Sequence, residues 1–311
     1  MNGKLLEEQY VSHLSGFGQW DQLDHAQDWI LFADNIGPYL SIDETCLSQG
    51  ELYTVVTNKQ AKGKKGALVA MVKGVESEKV IAVLSKIGLS RRKKVKEVTL
   101  DLAATMERIA RCSFPKARLV SDRFHVQQLA GDAVQQIRIE YRWEAIEQEN
   151  KEMELAKELG RQHVPEVLAN GDSLKQLLVR SRYLLFKDES KWTPSQYHRA
   201  EILFRLYPTL ETAYQLSRKL SHIFTTTKQK GVAFTRLAQW YNQVEIAGLK
   251  SFGTLARTIQ NNYLTILNYF DNRSTNASAE SFNAKIKALR SQFRGVRSIP
   301  FFMFRLARIY A

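Results

Sequence analysis

Between Tyr39 and Ser121 the chain carries five short strand-like apolar runs, and from Asp132 to Asn272 it carries no convincing strand. That contrast limits the fold more than any other feature of the sequence. The runs are YLSIDE (39–44), ELYTVVT (51–57), ALVAMV (67–72), VKEVTLD (95–101) and ARLVS (117–121), rich in β-branched and aromatic residues. The first three are separated only by Ser48-Gln49-Gly50 and by a loop from Asn58 to Gly66, which leaves no room for a crossover. They are expected to be successive antiparallel strands. Apolar residues at 75, 80, 81, 84 and 87 then predict a helix over Val75–Ile87. A short helix over Leu102–Arg111 separates the fourth and fifth strands, and another helix begins near Arg123. Hairpins followed by helical crossovers give an α/β fold, a mixed five-stranded sheet with helices on its faces.

After the fifth strand the pattern is helical, with breaks at Pro165, Gly171, Pro194, Pro208 and Gly231, and Thr275–Phe293 predicts one more amphipathic helix. The expected organisation is an N-terminal helical arm (1–35), a sheet-bearing segment (36–131), an all-helical insertion (132–272) and a basic C-terminal segment (273–311). Only 16 glycines and 6 prolines among 311 residues favour helices over a loop-rich all-β fold. Cys46 and Cys112 are too few for a disulfide framework or a four-cysteine zinc site. The N-terminal MNGKLLEEQYVSHLSG lacks the basic and apolar regions of a signal peptide, and no run of apolar residues is long enough to span a bilayer. The expectation is a cytoplasmic chain with no membrane partner.

Charge narrows the partners. The formal net charge is +13: +10 between Lys59 and Lys96 and +6 between Asp271 and Ala311, with about −3 on the rest of the chain. An excess of this kind favours polyanions. Within the two blocks Lys62, Lys64 and Lys65 fall in the predicted hairpin tip, and Arg91, Arg92, Lys93 and Lys94 form a run of four. Arg273, Lys285, Lys287, Arg290, Arg294 and Arg297 surround the last helix, on whose polar face Asn276 and Asn283 also fall. Charge alone does not separate nucleic acid from anionic lipid; where the partner is DNA, these are its candidate contacts.

Three acids close predicted strands: Asp43 ends the first, Asp101 the fourth and Asp122 the fifth. An acid at a strand end is ordinarily a turn former or a helix cap. Three at successive strand ends of one sheet are brought near each other by the crossovers, at the edge where ligands bind in such folds. In the last helix Ala279, Phe282, Ile286, Leu289 and Phe293 form an apolar stripe, while Asn276, Glu280, Asn283 and Lys287 share a polar face. With the stripe packed on the sheet, that face turns Glu280 toward the strand ends. Gathered carboxylates repel one another and need neutralising. Hard oxygen donors suit Mg²⁺ or Mn²⁺, and two such ions serve phosphodiester displacement. Asp43, Asp101, Glu280 and Asp122 are the candidate ligands for two ions. His125 follows Asp122 by three residues as a candidate auxiliary group, with a purely structural role equally open.

The blocks SIDET (41–45), VTLDLAATMERI (98–109), FPKARLVSDRFHV (114–126) and NRSTNASAESFNAKIKALR (272–290) resemble those of bacterial insertion-sequence DDE transposases, of the group distantly related to Mutator-like elements. The resemblance spans about residues 36 to 311 and implies an RNase H-like catalytic core interrupted by the helical insertion. It further implies Asp43 as the first catalytic acid, Asp101 as the second and Glu280 as the third. Asp122 competes for the second place because it opens the DRFHV block; Asp101 is favoured because the fourth strand neighbours the first in an RNase H-like sheet. The implied activity is metal-dependent hydrolysis at transposon ends followed by strand transfer into target DNA, carried out by a homo-oligomer at the bacterial nucleoid. Relatives usually carry an N-terminal region that reads the transposon ends. Here 42 residues precede Asp43 and contain no Cys/His cluster, so end recognition is expected from a separately encoded DNA-binding protein or to have been lost. An RNase H-like nuclease without strand transfer and a non-catalytic DNA-binding remnant stay open as alternatives. No G-x-S-x-G, Walker A or H-E-x-x-H motif supports other chemistry.

Overall fold

The computed structural model describes residues 8–47, 50–293 and 298–311. They form two compact units, one from Met1–Asp122 with Leu264–Ala311 and one from Arg123–Tyr263. Arg294 and Arg297 lie outside the described residues.

The first unit is built on a sheet of β1 (Trp29–Leu31), β2 (Tyr39–Cys46), β3 (Leu52–Asn58), β4 (Leu68–Lys73), β5 (Glu97–Leu100) and β6 (Arg118–Ser121). Their order is β1-β4-β3-β2-β5-β6. β1 to β4, β4 to β3 and β3 to β2 pair antiparallel, whereas β2 to β5 and β5 to β6 pair parallel. A hairpin meander joined to a parallel pair by helical crossovers, with β5 beside β2, is the RNase H-like arrangement. The expected sheet of five strands is corrected to six. Trp29–Leu31 adds an edge strand to β4, and three residues are too few to reveal alternation in sequence.

Alternation along β2 divides the two faces. Leu40 and Ile42 join Val98 and Leu100 of β5 in one core, which packs on α1 (Ser77–Ser85) through Val80, Val83 and Leu84. The same core takes Met106 and Ile109 from α3 (Ala104–Ser113), which lies beyond the single turn α2 (Leu89–Arg92). On the opposite face Tyr53, Val55 and Met71 meet Phe282 and Ile286 of a late helix, together with Phe302, Met303 and Leu306 of the C-terminal one. Burying a side chain such as Phe282, 1% exposed, contributes about 1.5–3 kcal/mol, so the apolar stripe holds the late helix to the sheet. The chain enters β2 through Gly37, where an added Cβ would lie 2.6 Å from the Asn58 amide. That amide bonds Asn35 and caps the turn that follows β3.

The second unit is wholly helical among its described residues. It begins with α4 (Arg123–Glu158) and continues with α5 (Leu174–Arg180), α6 (Pro194–Leu206), α7 (Pro208–Thr226), α8 (Lys230–Ala247) and α9 (Lys250–Asn261). α4 packs on α5, α7 and α9, and α7 on α6 and α8. α5 and α6 each open with a capping box, Ser173 with Gln176 and Thr193 with Gln196. Trp240 is buried and donates Nε1–H to the Leu216 carbonyl, and the Trp192 indole donates to that of Leu184, so both tryptophans serve packing. α10 (Tyr263–Asn272) returns the chain to the first unit, followed by α11 (Ala277–Gln292) and α12 (Ile299–Tyr310). No described helix is long and apolar enough to cross a membrane.

Candidate active site

The carboxylates collect near the C-terminal ends of β5 and β6 and beside β2; Asp43 was expected to end its strand but lies within β2, whose pairing with β3 continues to Cys46. The last register pair of β2 and β5 is Ser41 with Thr99, and Asp43 and Asp101 each lie two residues further on. Parallel pairing therefore sets them abreast and on the same face, on strands about 4.8 Å apart. Asp122 directly follows β6, its N–H still donating to the Leu100 carbonyl at 2.9 Å, and it is only 1% exposed. α11 supplies the fourth acid: an oxygen of Glu280 lies within 4.8 Å of one of Asp122.

α11 also holds the first acid. The Asn283 amide donates to Asp43 Oδ2 at 2.8 Å and to the Glu44 carbonyl at 3.3 Å. One turn before Glu280, the buried Asn276 donates to the Ile42 carbonyl over a long 3.5 Å. Asn276, Glu280 and Asn283 thus share one face, with the two asparagines fixing the helix to β2 and the exposed Glu280 between them. Both asparagines were candidate DNA contacts, and in the structure their amides are directed to β2. Asp43 Oδ1 accepts the Glu44 N–H, and Asp101 Oδ1 accepts the Ala103 N–H just ahead of α3. Asp101 therefore forms a turn as well as facing the cluster. Burial and the charge of Asp101 raise the Glu44 carboxyl above its ordinary value, as gathered negative charge requires.

Two charged groups on this face went unforeseen. Glu97 precedes Thr99 and Asp101 by steps of two along β5, is 3% exposed, and accepts from Asn272 Nδ2 at 3.0 Å. Lys59, just past β3, donates Nζ to Thr99 Oγ1 at 2.8 Å. Burial pulls the Lys59 ammonium below its ordinary value, and the charges of Glu97 and Asp122 oppose that. Lys59 therefore sets a positive charge beneath the acids. The period-two placement of Glu97 was a usable signal; nothing local marks Lys59. Replacing Lys59 by Met is expected to lower stability by about 1–3 kcal/mol, because a buried carboxylate loses its neighbouring cation. Urea denaturation of the two proteins at neutral pH checks this, and an unchanged midpoint would show the ammonium to be dispensable.

The basic candidates divide by position. Lys62, Lys64 and Lys65 are exposed in the hairpin tip, to which Lys285 is tied by a 2.9 Å bond from Nζ to the Gly63 carbonyl. Lys287 is exposed on α11, and Arg273 lies over the Tyr269 ring. Arg290 lies over Phe302 and 3.7 Å from Glu51. The run from Arg91 to Lys94 precedes β5, at the end opposite Asp101. Within it Arg91 pairs with Asp34, and Arg92 donates to the Ile87 and Ser113 carbonyls. His125 lies in the first turn of α4.

An RNase H-like sheet with one acid within its first core strand, acids just after its fourth and fifth, and another on a late helix defines a class of enzymes acting on nucleic acid. The DDE_Tnp_ISL3 family model, described as transposase, matches residues 40–306, and the chain belongs to this transposase family. No curated protein and no solved structure matches the chain significantly.

Proposed function

We propose that the protein cleaves a phosphodiester at the end of a bacterial insertion element and directs the freed 3′-OH into target DNA at the same carboxylates. The observation that carries this reading is the placement of Glu280 within 4.8 Å of Asp122, on the helix whose Asn283 holds Asp43. The candidate donors Asp43, Asp101, Asp122 and Glu280 are all carboxylates and, except for the buried Asp122, are partly solvent-accessible. Such a set fits Mg²⁺ or Mn²⁺ and not the softer metals. Asp43, Asp101 and Glu280 would hold two ions, with Asp122 as the rival second acid. Bound there, the ions supply Lewis-acid activation of the attacking oxygen and neutralisation of the leaving oxygen. The chain's own residues supply position and charge. Asn283 fixes the rotamer of Asp43, the β2–β5 register sets Asp101 abreast of it, and Lys59 places a positive charge near Glu97 and Asp122. Glu280, exposed on α11, leaves the site open to a strand of DNA.

Action as a homo-oligomer on paired ends follows from the family resemblance. The test is a cleavage and joining assay on labelled DNA carrying the element's terminal repeats, with Mg²⁺ or Mn²⁺ and with chelator. It is run with and without the product of the neighbouring reading frame. Metal-dependent nicking and joining of pre-cleaved ends are expected. Nicking without joining favours the nuclease, and DNA binding without any cutting favours the remnant.

A further inference from the structure

Between α7 and α8 the helical unit carries a cavity of about 320 Å³ whose walls are cationic. Arg218, Lys219 and His222 line it from α7, and Arg236 faces them from α8. A second cavity of about 360 Å³ shares Lys219 and Gln243 with the first, so the two form one groove along the helix pair. From Thr212 to Val244 the chain has five Lys or Arg residues and no Asp or Glu. The acidic residues at the groove are Glu211 at one end and Asp188, which lies 3.7 Å from Arg218. Such segregation is not needed to fold two helices, since opposite charges across the pair would serve that better.

The cations are also held in place. Arg236 donates to the Thr227 hydroxyl at 2.9 Å and to that of Thr226 at 3.3 Å, and Arg218 donates to the Phe186 carbonyl at 3.3 Å. Side chains already ordered lose little entropy on meeting an anion. The Trp240 indole beneath them is buried and its Nε1–H is bonded to the Leu216 carbonyl, so the groove offers charge, amides and the His222 imidazole but no open indole face for stacking a base. That chemistry suits a phosphodiester backbone, not its bases. From Thr212 to His222 the groove runs about 15 Å along α7, on the order of four nucleotides of one strand.

We infer that the α7–α8 groove binds the phosphate backbone of DNA, without regard to sequence, at a site separate from the carboxylates. Being independent of cleavage, this fails or holds whatever becomes of the catalytic reading. The full chain is titrated by fluorescence anisotropy into a labelled duplex unrelated to the element ends, in chelator and over a range of salt. Lys219→Ala and Arg236→Ala are each expected to weaken binding on the order of 3–10-fold and to reduce the slope of log K against log salt by about 0.9. Lys151→Ala and Lys157→Ala, in the distal part of α4, are expected to change neither. Lys219 is exposed and its removal leaves the packing intact, so its result stands even where Arg236→Ala disturbs the turn after α7. Wild-type affinity and slope in a folded Lys219→Ala, Arg236→Ala double variant would overturn the inference. So would polyglutamate binding through the same two residues as tightly as DNA of equal charge, since phosphate would then not be what the groove recognises.

Discussion

Changing Glu280 to Gln is expected to reduce single-turnover nicking by at least about 10³-fold while leaving DNA affinity within about twofold. The substitution keeps the size of the side chain and removes only its charge and one acceptor. Glu280 is exposed on α11, so folding is not at stake. Asp43→Asn is expected to be as damaging for a second reason. Asp43 Oδ2 accepts the Asn283 amide, and an asparagine there must turn its carbonyl to Asn283, presenting an NH₂ where a carboxylate oxygen stood. The same assay decides between the two candidates for the second acid. Asp101 caps the approach to α3 through the Ala103 N–H, a bond that Asn preserves, so Asp101→Asn isolates the loss of charge from the loss of the turn. A fall of about 10³-fold for Asp101→Asn with one of about 10–100-fold for Asp122→Asn assigns the role to Asp101, and the reverse order to Asp122. Undiminished nicking by Glu280→Gln would remove the carboxylate site from the mechanism altogether.

How far the sequence foretold this site varies residue by residue. The five longer strands were legible because each alternates or ends at a turn former, and their order with the intervening helices fixes a mixed sheet. Asp43 and Asp101 could be assigned to neighbouring strands because the RNase H-like order sets the fourth strand beside the first; their register came only from the structure. The polar face of α11 was legible as a face. What it meets was not, since helical spacing gives the direction of Asn276 and Asn283 but not the partner; both proved to bind β2 and Asp43. Lys59 and Glu97 were hidden for a different reason. A charged residue in a basic block or on a strand reads as solvated, and only tertiary contact with Thr99 and Asn272 shows them to be half-buried or buried. β1 was missed because a three-residue edge strand is specified by its neighbour β4 more than by its own pattern.

Asp172→Ala is expected to destabilise the helical unit by about 3–5 kcal/mol, the cost of removing one member of a buried charge cluster. Asp172 precedes α5, and its carboxylate is wholly buried. Arg199 of α6 donates Nε–H to Oδ2 at 2.9 Å, Arg180 at the end of α5 pairs with Oδ1, and the Asn170 amide donates to Oδ2 at 2.8 Å. One carboxylate therefore joins a loop to two helices, and its loss leaves Arg199, largely covered, without its counter-charge. Burial alone would push the Asp172 carboxyl up. The hydrogen bonds from Arg199 and Arg180, with their charges, outweigh burial and hold it below the ordinary aspartate value. A carboxyl depressed in the folded state binds its proton more readily once unfolded, so its contribution is complete above the unfolded aspartate value near about 3.9 and is lost as pH falls through the folded one. Urea unfolding of wild type and Asp172→Ala should therefore differ by the full amount at neutral pH and converge in acid. Asp172→Asn separates charge from shape: an amide keeps one acceptor but presents NH₂ to an arginine. It should fold less stably than wild type, and a stability equal to wild type at neutral pH would show that packing, not the charge cluster, holds the loop to α5 and α6.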